Sequence, residues 1–229
     1  MFLMIKRSAF TVAIFFLIPL ASFAQYSFEQ RENIEWCDIW IDNANDTTLP
    51  KILLIGNSIT RAYHTEVSNL LQTKASVSRI TTAQFLADPM LLSFLITVLD
   101  HYHFDIIHFN NGMHGWQHSE TLYKNAFTDY LRVIQKHAPR SKLIWASTTP
   151  IKEDPVGDVD KQATNHRVQE RNRIASQLIE GKNIAVDDLY SLMKDRRETY
   201  TDNVHFNKEA IVLQARQVTK AINLLLDKK

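Results

Sequence analysis

The sequence predicts an α/β domain, with a parallel sheet of about five strands and helices on both faces. Strand-like runs alternate with helical segments five times along the chain, which argues for βαβ units. The first run, "KILLIG" (51–56), is continuously apolar, the mark of a strand buried on both faces. The chain has 229 residues, 45% of them hydrophobic, enough for one sizeable core.

The elements follow in order. Residues 25–50 alternate polar and aromatic and read as an N-terminal strap ending at Pro50. After strand 51–56, "SITRAYHTEVSNLLQTK" reads as a helix and 75–80 as a short strand. Residues 88–102 open with Asp88-Pro89, a cap and first-turn pair, and continue apolar at helical spacing. Residues 105–110 form the next strand, and 119–139 an amphipathic helix stopped by Pro139. Strand 141–148 leads into a long loop, 149–164. Helix 165–181, strand 183–189 and a closing helix from Asn207 complete the domain, 51–229.

Residues 1–24 carry Lys6 and Arg7, then a short apolar run, then Ser22 and Ala24 before Gln25. This is the plan of a secretory signal peptide, and the run is short for spanning a bilayer. The expected location is therefore periplasmic or extracellular, with no stable membrane insertion after cleavage. A net charge of +1 gives no reason to expect a nucleic-acid partner. Cys37 is the only cysteine, so the core, not a disulfide, must stabilise the fold. Oligomeric state is left open.

Parallel sheets bind ligands beyond the carboxyl ends of their strands. Gly56-Asn57-Ser58 follows the first strand, and Asn110-Asn111-Gly112-Met113-His114-Gly115 follows the third. Late in the chain, "YTDNVHFN" brings Asp202 and His205 just before the last helix. A serine becomes a nucleophile when a base lies within hydrogen-bond reach and an acceptor orients that base. Ser58, His205 and Asp202 can fill these roles. The Ser58 N–H, at a helix start, is suited to an oxyanion, and Asn111 or His114 could give a second donor. Asn57, Asn110 and Trp116 are candidate substrate contacts; Trp116 and Trp145 suit either a sugar-stacking rim or the core. His101 and His103 lack a carboxylate at ligand spacing and read as a helix end. Arg171 and Arg173 read as a solvated helix face. The plain alternative for Ser58 is a helix N-cap, and for Asp202 a cap near Asn207.

The blocks "IGNSIT", "HFNNGMHGW" and "TDNVHFN" resemble those of the SGNH (GDSL-like) hydrolases. The resemblance spans about residues 51–220. It implies a three-layer α/β/α sandwich of flavodoxin-like type and a triad of Ser58 as nucleophile, His205 as base and Asp202 as its partner. Two departures stand out. No glycine occurs between residues 57 and 111 to serve as the family's second-block donor; Thr81, Thr82 or Ala83 could replace it. The third-block asparagine corresponds to His114 if aligned on Gly112, or to Asn110 or Asn111 if aligned on the strand end. The expectation is an exported serine esterase that removes short acyl groups, acetyl in particular, from carbohydrate, its substrate a small ester or acylated glycan, without cofactor or metal. The alternatives are a lipid-directed esterase or thioesterase, and a glycan-binding protein without turnover.

Overall fold

Residues Ile52 to Ile55 are all 0–1% exposed, because the strand they form is covered from both sides. The computed structural model describes residues 31–152 and 163–227. The expected signal peptide, the strap residues 25–30 and residues 153–162 of the long loop lie outside that range.

The elements are β1 (Cys37–Trp40), β2 (Lys51–Gly56), α1 (Ser58–Leu71), β3 (Ser76–Thr82), α2 (Pro89–His101), β4 (Ile106–Phe109), α3 (Glu120–His137), β5 (Lys142–Ala146), α4 (Asn165–Ile179), β6 (Ile184–Asp187), α5 (Leu189–Met193) and α6 (Lys208–Leu226). The sheet order is β1-β3-β2-β4-β5-β6. Five strands run parallel, and β1 is antiparallel to β3, with Cys37 opposite Thr82. The sheet therefore has six strands and is mixed, where the sequence suggested about five in parallel. The strap supplies the extra one. Its residues Ile39 and Trp40 remain 40% and 55% exposed, so this edge strand lacks the apolar run by which the inner strands were recognised.

Alternation along each strand divides the core into two layers. Leu53 and Ile55 pack with Leu91, Leu95, Phe127 and Ile174, under α2, α3 and α4. Ile52 and Leu54 pack with Tyr63, Val67, Ala215 and Val218, under α1 and α6. This is the three-layer α/β/α sandwich. Each long helix begins at a side-chain cap: Asn57, Asp88, Ser119, Thr164 and Asn207, each contributing about 1 kcal/mol.

One expectation is reversed. Arg171 is 0% exposed, while Arg173 is on the solvent side, paired with Glu170. Val168, Ile174, Ala175 and Ile179 are the buried neighbours of Arg171 on α4. Their spacing of three and four places Arg171 on the apolar face. Its guanidinium sits 4.0 Å from the Trp116 ring and donates to three backbone carbonyls, of Gly112, His114 and Gly115. Burial pushes its pKa down to about 10, so it stays charged at neutral pH.

Two substitutions test this architecture. A Cβ on Gly56 would lie 2.1 Å from Thr60 Oγ1; Gly56→Ala is expected to cost about 1–3 kcal/mol. Arg171→Met strands three carbonyls and is expected to cost about 3–5 kcal/mol, while Arg173→Ala stays within about 0.5 kcal/mol. Urea unfolding midpoints measure all three.

Candidate active site

The turn from β2 into α1 answers whether Ser58 is a cap. Asn57 is the cap: it is 2% exposed and its side-chain oxygen accepts from the Ile59 N–H at 3.0 Å. The side chain proposed as a substrate contact is thus committed to the helix start. Ser58 is the first helical residue, and its hydroxyl is free for another partner. Ser58 Oγ lies 2.8 Å from His205 Nε2. The Ser58 N–H, in the first turn, has no acceptor within the helix, and the helix dipole favours negative charge there.

His205 and Asp202 share one tight turn ahead of α6. Asp202 Oδ1 accepts from the N–H groups of Val204 and His205 at 2.8 and 2.7 Å. Asp202 Oδ2 accepts from His205 Nδ1 at 2.7 Å. A carboxylate only accepts, so Nδ1 carries the proton and Nε2 presents its lone pair to the Ser58 hydroxyl. The turn is fixed from outside: Lys152 N–H donates to Asn203 O at 2.8 Å, and the Tyr200 and Phe206 rings pack at 4.5 Å. Asn207, not Asp202, caps α6, accepting from Ala210 N–H at 3.1 Å. The His205 and Asp202 side chains are 41% and 54% exposed, so a ligand can approach. Partial burial acts to raise the Asp202 carboxyl, but the hydrogen bonds from the Val204 and His205 N–H groups and from the His205 ring hold it below the ordinary carboxylate range. Its contribution to stability is complete above that range and is lost only as pH falls through the lowered value.

The opposite side of the site is built by the segments after β3 and β4. Ala83 N–H, a replacement considered for the second-block donor, is taken by Trp36 O at 3.1 Å. Gln84 N–H is taken by Thr82 Oγ1 at 3.0 Å. Asn110 is 7% exposed, and its amide donates to Ala146 O at 2.7 Å and Thr148 Oγ1 at 3.0 Å. It ties β4 to β5 rather than facing a substrate. Asn111 donates one Nδ2–H to Gln84 O at 3.1 Å. Because β2 lies between β3 and β4, this bond spans the end of β2, where Ser58 begins. Asn111 keeps a second Nδ2–H. His114 donates from Nδ1 to Glu32 at 3.0 Å.

The two tryptophans belong to the interior. Trp116 is 5% exposed, stacked on Arg171, and Trp145 is 3% exposed. Sequence reasoning missed Glu32, Arg167 and the buried position of Arg171. Arg167 donates to Trp116 O and His118 O, each at 2.6 Å. With the three carbonyls held by Arg171, the loop 112–118 is gripped by α4 along its length. The helical spacing from Val168 could have revealed Arg171; nothing local in the sequence marks Glu32.

A hydroxyl, an imidazole and a carboxylate thus lie in one hydrogen-bonded line, the order that a serine nucleophile, its base and an orienting acceptor require. His101 ends α2, with its Nδ1 3.0 Å from Thr97 O. No family model and no curated protein matches the sequence. Solved structures do. One is the C-terminal catalytic domain of peptidoglycan O-acetyltransferase A from Streptococcus pneumoniae: 17% identity, TM-score 0.57, 79% of this chain and 97% of that one. A GDSL-like lipase from Bacteroides thetaiotaomicron matches with 14% identity and TM-score 0.61, over 76% of this chain and 88% of that one. An acetyl esterase matches with 14% identity and TM-score 0.63, over 79% of this chain and all (100%) of that one. The chain has the fold of the SGNH, or GDSL-like, hydrolases.

Proposed function

We propose that the protein is an exported serine esterase that removes short acyl groups, acetyl above all, from carbohydrate. The observation that carries this reading is the chain of contacts from Ser58 Oγ to His205 Nε2 at 2.8 Å and from His205 Nδ1 to Asp202 at 2.7 Å. His205 takes the Ser58 proton as the hydroxyl oxygen attacks the ester carbonyl. Ser58 N–H and the second Asn111 Nδ2–H receive the oxyanion. His205 returns the proton to the leaving alcohol. Water, deprotonated by His205 in turn, releases the acid and restores Ser58.

The acyl size rests on the company of the fold. Two of the structural neighbours are by name an acetyl esterase and an O-acetyltransferase. Carbohydrate as the alcohol, and export itself, rest on the residues 1–24 reading and on the fold's company. The competing reading is a glycan-binding protein without turnover. The observation that favours it is Ala83 N–H, closed off by Trp36 O, since a lost oxyanion donor costs about 3–4 kcal/mol.

Hydrolysis of p-nitrophenyl acetate and octanoate separates these readings. The expected outcome is faster turnover of acetate, with kcat lowered about 10³-fold or more in Ser58→Ala. Asp202→Asn is expected to lose about 10³–10⁴-fold. Preference for octanoate would support the lipid-directed alternative, and turnover unchanged in Ser58→Ala would refute the assignment. No turnover, with glycan binding equal in wild type and Ser58→Ala, would establish the binding protein.

A further inference from the structure

Strap residues 31–36 touch α1 and the segments that follow β3 and β4. Arg31 pairs with Asp88, the buried cap of α2, at 2.8 Å. Trp36 O accepts from Ala83 N–H at 3.1 Å and Thr82 Oγ1 at 2.8 Å. The Trp36 ring lies 4.3 Å from the Arg61 guanidinium, one turn past Ser58. Glu32 reaches furthest: its carboxylate accepts from His114 Nδ1 at 3.0 Å and from Gly115 N–H at 3.2 Å.

Arg171 holds the same loop by its carbonyls, at Gly112, His114 and Gly115. The loop is thus gripped at its acceptors by a buried cation and at its donors by an anion. Gly115 has φ +73°, and a Cβ there would lie 2.3 Å from the Phe85 ring, so neither this conformation nor this packing tolerates another residue. Asn111, whose second Nδ2–H the proposed mechanism assigns to the oxyanion, directly precedes Gly112. Burial acts to raise the Glu32 carboxyl, but its hydrogen bond to His114 and the charges of His114 and Arg171 hold it below the ordinary range, so the anion persists at neutral pH.

We propose that Glu32 is a positioning residue of the active site: with Arg171 it fixes segment 111–115 and so aims the Asn111 amide at the oxyanion, which makes the strap part of the catalytic unit. The proposal rests on the esterase reading given above. Glutamine at this position keeps the shape and one acceptor oxygen, but it removes the negative charge and the second oxygen, so the grip on His114 and Gly115 loses its charge-assisted strength.

The test uses wild type, Glu32→Gln, Glu32→Asp and, as a surface control, Arg173→Ala. Glu32→Gln is expected to lower kcat for p-nitrophenyl acetate about tenfold to a hundredfold. KM should stay within about twofold, since the donor acts in the transition state. Glu32→Asp restores part of kcat, and Arg173→Ala retains it. In two-dimensional ¹H–¹⁵N spectra the Asn111 side-chain amide pair shifts in Glu32→Gln, while the Asn110 pair, held by Ala146 and Thr148, stays in place. Wild-type kcat in Glu32→Gln, or an unmoved Asn111 pair, overturns the proposal. The spectra decide it even if wild type hydrolyses no ester, an outcome that would refute the esterase reading instead.

Discussion

The hydrogen bond from Ser58 Oγ to His205 Nε2 joins residues 147 positions apart. Neither side chain can find the other by local folding. Ser58 is held by the turn from β2 into α1, and His205 by the turn that opens α6. Those two helices pack on the same face of the sheet, through Ile59, Tyr63 and Val67 on one and Ala210, Ala215 and Val218 on the other. The apolar layer between them therefore sets the distance between hydroxyl and imidazole. Chemistry at the rim depends on packing a turn or more below it, which is how a sheet with ordinary core residues can align a reactive pair.

The division of labour at the β2–α1 turn is equally physical. A helix start needs a side-chain acceptor for its orphan amides. Were Ser58 to serve, its hydroxyl would point at its own backbone. Asn57 takes that duty, and Gly56 allows Thr60 to close over the strand end. The same logic recurs at α6, where Asn207 caps the helix and leaves Asp202 for His205.

Much of this was legible because it is local. "KILLIG" matches β2 residue for residue, and Asp88-Pro89 opens α2 as its chemistry requires. Ser58, Asp202 and His205 stood out through short blocks whose spacing is independent of context. What escaped was tertiary. β1 is a four-residue edge strand with two exposed positions, so it shows no apolar run. α5 spans five residues, too few for a helical period. Arg171 looked like surface because charge outweighs spacing in a polar stretch, yet its partners are carbonyls of a distant loop. Glu32 lies in a segment with no periodic signal, and its partners lie 82 and 83 positions away. Trp116 looked available to a sugar and is instead the platform for Arg171. Side chains that bind backbone leave little trace in a sequence.

The central claim is that Ser58 is a nucleophile armed by His205. Reaction with a fluorophosphonate, followed by peptide mass spectrometry, tests it most directly. The account predicts a single adduct on the peptide containing Ser58, formed quickly in the wild type and lost in His205→Asn. An unmodified Ser58, or labelling at the same rate without the imidazole, would contradict it.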